Sequence, residues 1–251
     1  MSDSEEEVEY EPEEFELDGI SLSVTTIAYM PITKLLSCQT QHVEISGQKL
    51  WCGSLCLVSY FSKYPCDWGN TAIVELGAGT GVVSMVAYRL GSKCVIATDH
   101  DSKSIEHMHA DKIRNNADVV VSKLDWYNPA MVEINHAIES FRPTAVRIVA
   151  GDVLYKAALL TPFFSTVHLL LSSFINADLL LCHVPRAGVE HGDVVRVAEE
   201  QGLRVVKLSD RVDREEVDGM FVPQEDMSSQ LKSYCPEEDI VRARLYVISL
   251  H

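Results

Sequence analysis

The chain has 251 residues, 47% of them hydrophobic and 23% charged, with a formal net charge of −16. This length suits one large domain that buries roughly 70 to 75% of the surface an unfolded chain exposes, with no metal or disulfide staple required. The acidic balance disfavours nucleic acid, whose binding needs phosphate-neutralising Lys and Arg, and no apolar run approaches the ~20 residues of a membrane span.

The seven cysteines, Cys38, Cys52, Cys56, Cys66, Cys94, Cys182 and Cys235, include no C-x-x-C pair. They are expected to be reduced and to act mostly as small core hydrophobes. The first residues are acidic rather than basic and apolar, so no secretory signal is expected. A soluble protein of the cytoplasm, or also of the nucleus, is the corresponding expectation.

Between Met1 and Asp18 stand Asp3, Glu5, Glu6, Glu7, Glu9, Glu11, Glu13, Glu14, Glu16 and Asp18, while the first basic residue is Lys34. Such a segment repels itself and has few apolar residues to offset its ordering entropy. It is expected to form a disordered acidic tail over 1–18, either solubilising or a contact arm for a basic partner. A single domain follows over 19–251, with N-terminal strands and a helix in 19–64 and the core in 65–251.

Along the chain, Ile20 to Ile27 and Gln41 to Leu50 suggest short strands around the turn-prone Ser46-Gly47. A helix is predicted from Gly53 to Lys63, closed by Pro65. The periodicity then alternates: strand Ala72 to Leu76, helix Val82 to Leu90, strand Cys94 to Thr98, helix Ser102 to Arg114, and strands Val119 to Leu124 and Val146 to Ala150. Pro162 is read as opening a long apolar helix to about Phe174. A strand Asp178 to Val184, a helix Val189 to Gln201, and strands Leu203 to Leu208 and Arg242 to Leu250 complete the chain. Strands apolar throughout and separated by helices indicate a parallel sheet covered on both faces. No helix is evident in the polar stretch Asp210 to Asp239, so the last strand should enter antiparallel.

The strand ends carry the candidate chemistry. "ELGAGTG", Glu75 to Gly81, follows the first core strand and opens a helix, where glycines let the backbone approach a ligand. A purely structural turn reads the same way. Val82 breaks the G-x-G-x-x-G/A pattern of nicotinamide sites, and there is no triphosphate loop. Asp99 ends the next strand, where a carboxylate can accept both hydroxyls of a ribose; the alternative role, capping the following helix, is open equally to Asp101. Asp125 can accept from an exocyclic adenine amine while Trp126 covers the ring, although a core Trp is the common alternative. "GDVLY" places Asp152 at a strand end with Tyr155 behind it, as either a loop or a site. His107 and His109 have no third ligand nearby, so no metal is expected and both are read as solvated.

Over roughly Gly47 to Leu208 the sequence resembles the seven-β-strand S-adenosylmethionine-dependent methyltransferases, specifically methyltransferase family 16, most of whose characterised members methylate protein lysines. The resemblance rests on "GQKLWCGSLCLVSYF" with Trp51, "VELGAGTGVVS", "VIATDHD" with Asp99, "LDW" with Trp126, and "GDVLY", which matches the family's D-x-x-Y. It implies a Rossmann-like α/β fold with a mostly parallel seven-stranded sheet, its last strand antiparallel, helices on both faces, and a short N-terminal β extension. It also implies S-adenosylmethionine as cofactor. Gly77, Ala78 and Gly79 would pass beside its methionine part, Glu75 would lie near its amino group, Asp99 would hold the ribose, Asp125 and Trp126 the adenine, and Trp51 would close the pocket. Gly151 stands where many relatives have alanine, an exchange expected to matter little, and Arg186 matches an arginine often found after the fifth strand.

An incoming lysine with pKa ~10.4 costs about 4 to 5 kcal/mol to deprotonate at neutral pH. A dry site beside a sulfonium lowers that cost, whereas Asp152 favours the ammonium. Asp152 is therefore assigned to capturing and orienting the amine, and Tyr155 to packing along it. The expected partner is a protein substrate with a basic target segment, such as a chaperone or translation factor, met by a monomer without nucleic acid or membrane. Alternatives are an arginine, histidine or small-amine acceptor, or a binding module that keeps the fold without catalysis.

Overall fold

The computed structural model describes residues 7–31, 46–207 and 230–251. The acidic segment is the first departure from expectation. Glu9–Leu17 forms strand β1, paired antiparallel with β2, Ile20–Tyr29, through a turn in which Asp18 and Gly19 both take positive φ. Asp-Gly is the dipeptide that suits such a hairpin. Disorder over 1–18 is therefore corrected for residues 9–17, while residues 1–6 lie outside the described set. The glutamates stay in solvent, but Phe15 and Leu17 are buried with Leu22 and Val24, each such side chain contributing roughly 1.5–3 kcal/mol.

The hairpin packs on two helices, α2 (Val82–Arg89) and α3 (Ser102–Arg114), which follow α1 (Cys52–Lys63) in the chain. Polar anchors fix its register: Asp111 accepts from Thr25 N (2.7 Å) and Thr25 Oγ1 (2.6 Å), and Asn115 bonds both N and O of Ser23. His107 is correspondingly buried against the Tyr10 ring, 4.6 Å between centroids, rather than solvated; His109 is exposed.

The core strands are β3 (Thr71–Leu76), β4 (Cys94–Asp99), β5 (Val120–Lys123), β6 (Ala145–Gly151), β7 (Ala177–His183), β8 (Leu203–Lys207) and β9 (Arg244–Leu250). They form one sheet of order β5-β4-β3-β6-β7-β9-β8, the first five parallel. As expected, the last strand is antiparallel; it lies between β7 and β8 and runs against both. Alternation divides the core. Ile73 and Val149 face the hairpin, α1 and α2, while Val74, Leu76, Ile148 and Ala150 face α4 (Val132–Phe141), α5 (Ala157–Ser173) and α6 (His191–Glu200).

Several boundaries differ from expectation for local reasons. Residues 41–45 of the strand expected at Gln41–Leu50 lie outside the described set, and Ser46–Gln48 forms a 3-10 turn instead. There the Gly47 backbone is pressed against Gly79: a Cβ on Gly79 would stand 2.7 Å from the Gly47 carbonyl oxygen. Helix α4 had no counterpart in the sequence reading. Pro162 lies inside α5, not at its start. Lacking an N–H, it leaves the Ala158 carbonyl without its helical donor, and the Tyr127 hydroxyl donates to that oxygen at 3.1 Å. Helix α6 begins at His191 because Arg186 to Val189 forms a tight turn and the Glu190 N–H is capped by Asp193 at 3.1 Å. Of Asp210 to Asp239, residues up to 229 lie outside the described set, and the remainder contributes to helices α7 (Leu231–Tyr234) and α8 (Glu237–Arg242). No described helix is long and apolar enough to cross a membrane.

Candidate active site

The parallel strands end on one edge, and the chain reverses its direction of travel between β3 and β6, the place where open α/β sheets bind ligands. A cavity of about 390 Å³ opens there, within the roughly 300–1,000 Å³ of small-molecule sites. Trp51, Gly77, Ala78, Gly79, Asp99, Asp125, Trp126, Gly151, Asp152 and Tyr155 all line it.

Glu75, expected near a ligand's amino group, is not among the lining residues. Its carboxylate is buried under the glycine turn and accepts from Ser84 N (2.9 Å) and Ser84 Oγ (2.5 Å) at the start of α2. Burial pushes this carboxyl up to about 7, against the Ser84 hydrogen bonds.

The glycine turn is shaped by contact. Gly77 has φ 66°, and a Cβ on it would stand 2.9 Å from Val153 Cγ1 and 3.2 Å from the Trp126 ring. Asp99 ties this turn to the next, accepting from Gly79 N at 2.8 Å and Asp101 N at 2.9 Å. Each of its oxygens keeps a lone pair for a further donor. Capping of α3 falls to Asp101, which accepts from Ser104 N at 2.8 Å. The Trp126 indole meets Phe163 edge-on at 5.0 Å. Asp125 is exposed and accepts from Tyr127 N at 2.9 Å, so the Tyr127 ring is held at both its backbone and its hydroxyl.

At the other end, Asp152 takes a left-handed conformation, φ 62°, immediately after β6. Its carboxylate receives Arg186 Nε at 3.0 Å and Nη2 at 2.8 Å, with Gly53 N at 3.4 Å. Burial pushes the Asp152 carboxyl above its ordinary value, and the guanidinium opposes that push. The forked bond to a permanent cation favours the ionised form. Asp152 is therefore already paired, a constraint the sequence reading did not include. Arg186 also stacks on Trp51, its guanidinium carbon 4.9 Å from the ring centroid, and the Lys156 ammonium lies 5.1 Å over the Tyr155 ring. Gly151 is required here: a Cβ would meet Ser54 Cα and N at 2.7 Å. Alanine is thus not a neutral exchange in this chain.

A family model described as lysine methyltransferase matches residues 33–194. The chain belongs to that lysine methyltransferase family. Among curated relatives of this family member, the Protein N-terminal and lysine N-methyltransferase efm7 of Neurospora crassa is 32% identical over 73 residues, 29% of this chain and 26% of the relative. The ribosomal protein L11 methyltransferase of Thermosipho melanesiensis is 26% identical over 140 residues, 54% of this chain and 48% of the relative. The chain spans about a quarter of the length of the first curated relatives it matches. The 16S rRNA N2 G1207 methyltransferase of T. thermophilus, solved with AdoMet and guanosine, superposes with a TM-score of 0.54 at 11% identity, covering 98% of this chain and 52% of that one. That likeness establishes the fold, the Rossmann-like class I methyltransferase architecture.

Sequence reading of this lysine methyltransferase family member missed Gly53, Tyr127 and Lys156. Gly53 was legible only as a helix start, yet a Cβ there would stand 2.7 Å from Asp152 N. Tyr127 had a usable signal, an aromatic next to "LDW", but its anchor depends on Pro162 thirty-five residues later.

Proposed function

We propose that the chain is an S-adenosylmethionine-dependent protein N-methyltransferase that modifies a lysine side chain of a protein. The carrying observation is convergence: Asp99, Trp126, and Asp152 with Tyr155, from the ends of three separate strands, line one cavity. The donor set fits an adenosine-bearing ligand. Asp99 keeps lone pairs for two ribose hydroxyls, Trp126 offers a ring face to adenine with Asp125 beside it, and the turn Gly77, Ala78, Gly79 has no Cβ at its two closest approaches. Trp51 under Arg186 forms the opposite wall. Bound there, S-adenosylmethionine supplies a methyl group on a cationic sulfur.

The chain's own residues then act on the acceptor. Asp152 and Asp239 share one guanidinium, leaving one net negative charge that draws a cationic side chain inward. The Lys156 ammonium lies over the Tyr155 ring, and an aromatic face of this kind attracts cations, which supports a role for Tyr155 beside a lysine acceptor. Deprotonation of a lysine at pH 7.4 costs about 4 kcal/mol, which exclusion of water and a nearby positive charge reduce. Orientation of the freed amine is the main contribution left to the protein, and such alignment supplies roughly 7 to 11 kcal/mol. Lysine is favoured as acceptor by the family match and by the name of the N. crassa relative.

The test is transfer of radiolabelled methyl from S-adenosylmethionine into a cell lysate, followed by mass spectrometry of the labelled band. Methyl-lysine on a protein supports the proposal. Label on arginine, histidine or a small amine overturns the acceptor, and donor binding without transfer points to a binding module.

A further inference from the structure

Resting on that reading, we propose that Asp239 is a positioning residue of the donor cavity, acting through Arg186. Asp239 lies on α8, which leads into the antiparallel strand β9, far in sequence from the glycine turn. Its Oδ2 receives Arg186 Nη2 at 3.0 Å, while the same guanidinium is forked onto Asp152 and stacked on Trp51.

The geometry explains why a second carboxylate is needed. A fork onto one carboxylate fixes one edge of the guanidinium but leaves it free to tilt about that edge. A third acceptor from a different element fixes the guanidinium against that tilt, and so holds its carbon over the indole, 4.9 Å from the ring centroid. Asp239 supplies that third point. The backbone on both sides of the pair is also held in unusual conformations: Asp152 at φ 62° and Ala187 at φ 47° are non-glycine residues in the left-handed region. Ala187 and Gly188, φ 80°, form the turn that returns the Val189 N–H to the Arg186 carbonyl at 2.9 Å. Strain of this kind persists where surrounding contacts over-determine it, and it concentrates at functional sites. The Asp152, Arg186, Asp239 and Trp51 assembly is such a set of contacts.

The consequence is that the C-terminal segment helps determine donor affinity without touching the donor. Calorimetric titration with S-adenosylhomocysteine tests this, using the full chain, D239N, W51L and the double variant. D239N is expected to weaken binding about fivefold, the size of one partly exposed cation stack. In the W51L background D239N should have no further effect, because there is no indole left to hold in place. An equal loss in both backgrounds, or no loss in either, overturns the proposal. If D239N does not fold, D239E decides: weaker binding at an unchanged unfolding temperature supports the role, and wild-type affinity overturns it. Failure of the unmodified chain to bind S-adenosylhomocysteine removes the proposed function itself and this inference with it, whereas binding by the unmodified chain with either of the overturning patterns in the variants removes only the inference.

Discussion

Replacing Asp152 by asparagine removes a charge while keeping the shape. The carboxylate side chain is 1% exposed and holds Arg186 by bonds of 3.0 and 2.8 Å. Removing one partner of a buried ion pair costs about 3–5 kcal/mol. Here Arg186 is 22% exposed and retains Asp239, and the asparagine oxygen still accepts one bond, so about 2–3 kcal/mol is the appropriate magnitude. Asparagine tolerates the left-handed backbone at φ 62°, so strain adds little. Urea unfolding should show that loss as a lower midpoint at unchanged slope. Titration with S-adenosylhomocysteine should show binding weakened about tenfold, roughly 1.4 kcal/mol, as Arg186 loosens on Trp51. If stability and donor affinity hold while only the acceptor KM rises, Asp152 captures the amine directly, and the ion-pair reasoning fails.

Gly151→Ala places a methyl group 2.7 Å from Ser54 backbone atoms; it should cost about 1–3 kcal/mol in unfolding experiments and weaken donor binding. Glu75 bears on pH. Its folded carboxyl titrates near 7 against an ordinary 4.5, so the folded chain binds the extra proton, and the group's contribution to stability, greatest below about pH 4.5, is lost as pH rises through 7. Glu75→Gln should gain about 2–3 kcal/mol relative to the parent between pH 5 and pH 8, and a pH-independent difference in denaturation midpoints would contradict the assigned burial effect. Tyr127→Phe removes the bond to the Ala158 carbonyl and should lower unfolding stability by about 0.5–1.5 kcal/mol; an unchanged denaturation midpoint would contradict the anchoring role of the hydroxyl.

The sheet was legible because its core strands are mostly apolar on both faces and two of its helices, Val82–Arg89 and His191–Glu200, stop just before glycines, signals that survive without tertiary knowledge. The cavity was legible for the same reason: in a parallel sheet, residues just past strand ends share an edge wherever they fall in the sequence. What escaped the sequence depended on contacts between distant segments. Charge in the first eighteen residues outweighed the Asp18-Gly19 turn and the paired Phe15 and Leu17, whose value appears only when Leu22, Val24 and helix α3 stand opposite. Glu75 was placed by its nearness to the glycines, but strand alternation and Ser84 turn it beneath them. Asp152 was assigned an open carboxylate because neither Arg186 nor Asp239 can be located opposite it from spacing alone. Gly151 is pinned by Ser54, a residue from a distant part of the chain whose backbone lies where a Cβ would go.

The most direct measurement is calorimetric titration of S-adenosylmethionine and S-adenosylhomocysteine into the parent chain and into Asp99→Asn, whose single amide oxygen keeps only one of the two bonds from Gly79 N and Asp101 N and which removes the charge offered to the ribose. Saturable one-to-one binding by the parent, weakened about tenfold or more in the variant, roughly 1.4 kcal/mol, is the expected result. No binding by the parent, or equal affinity in both, would contradict the assignment of this cavity to the methyl donor.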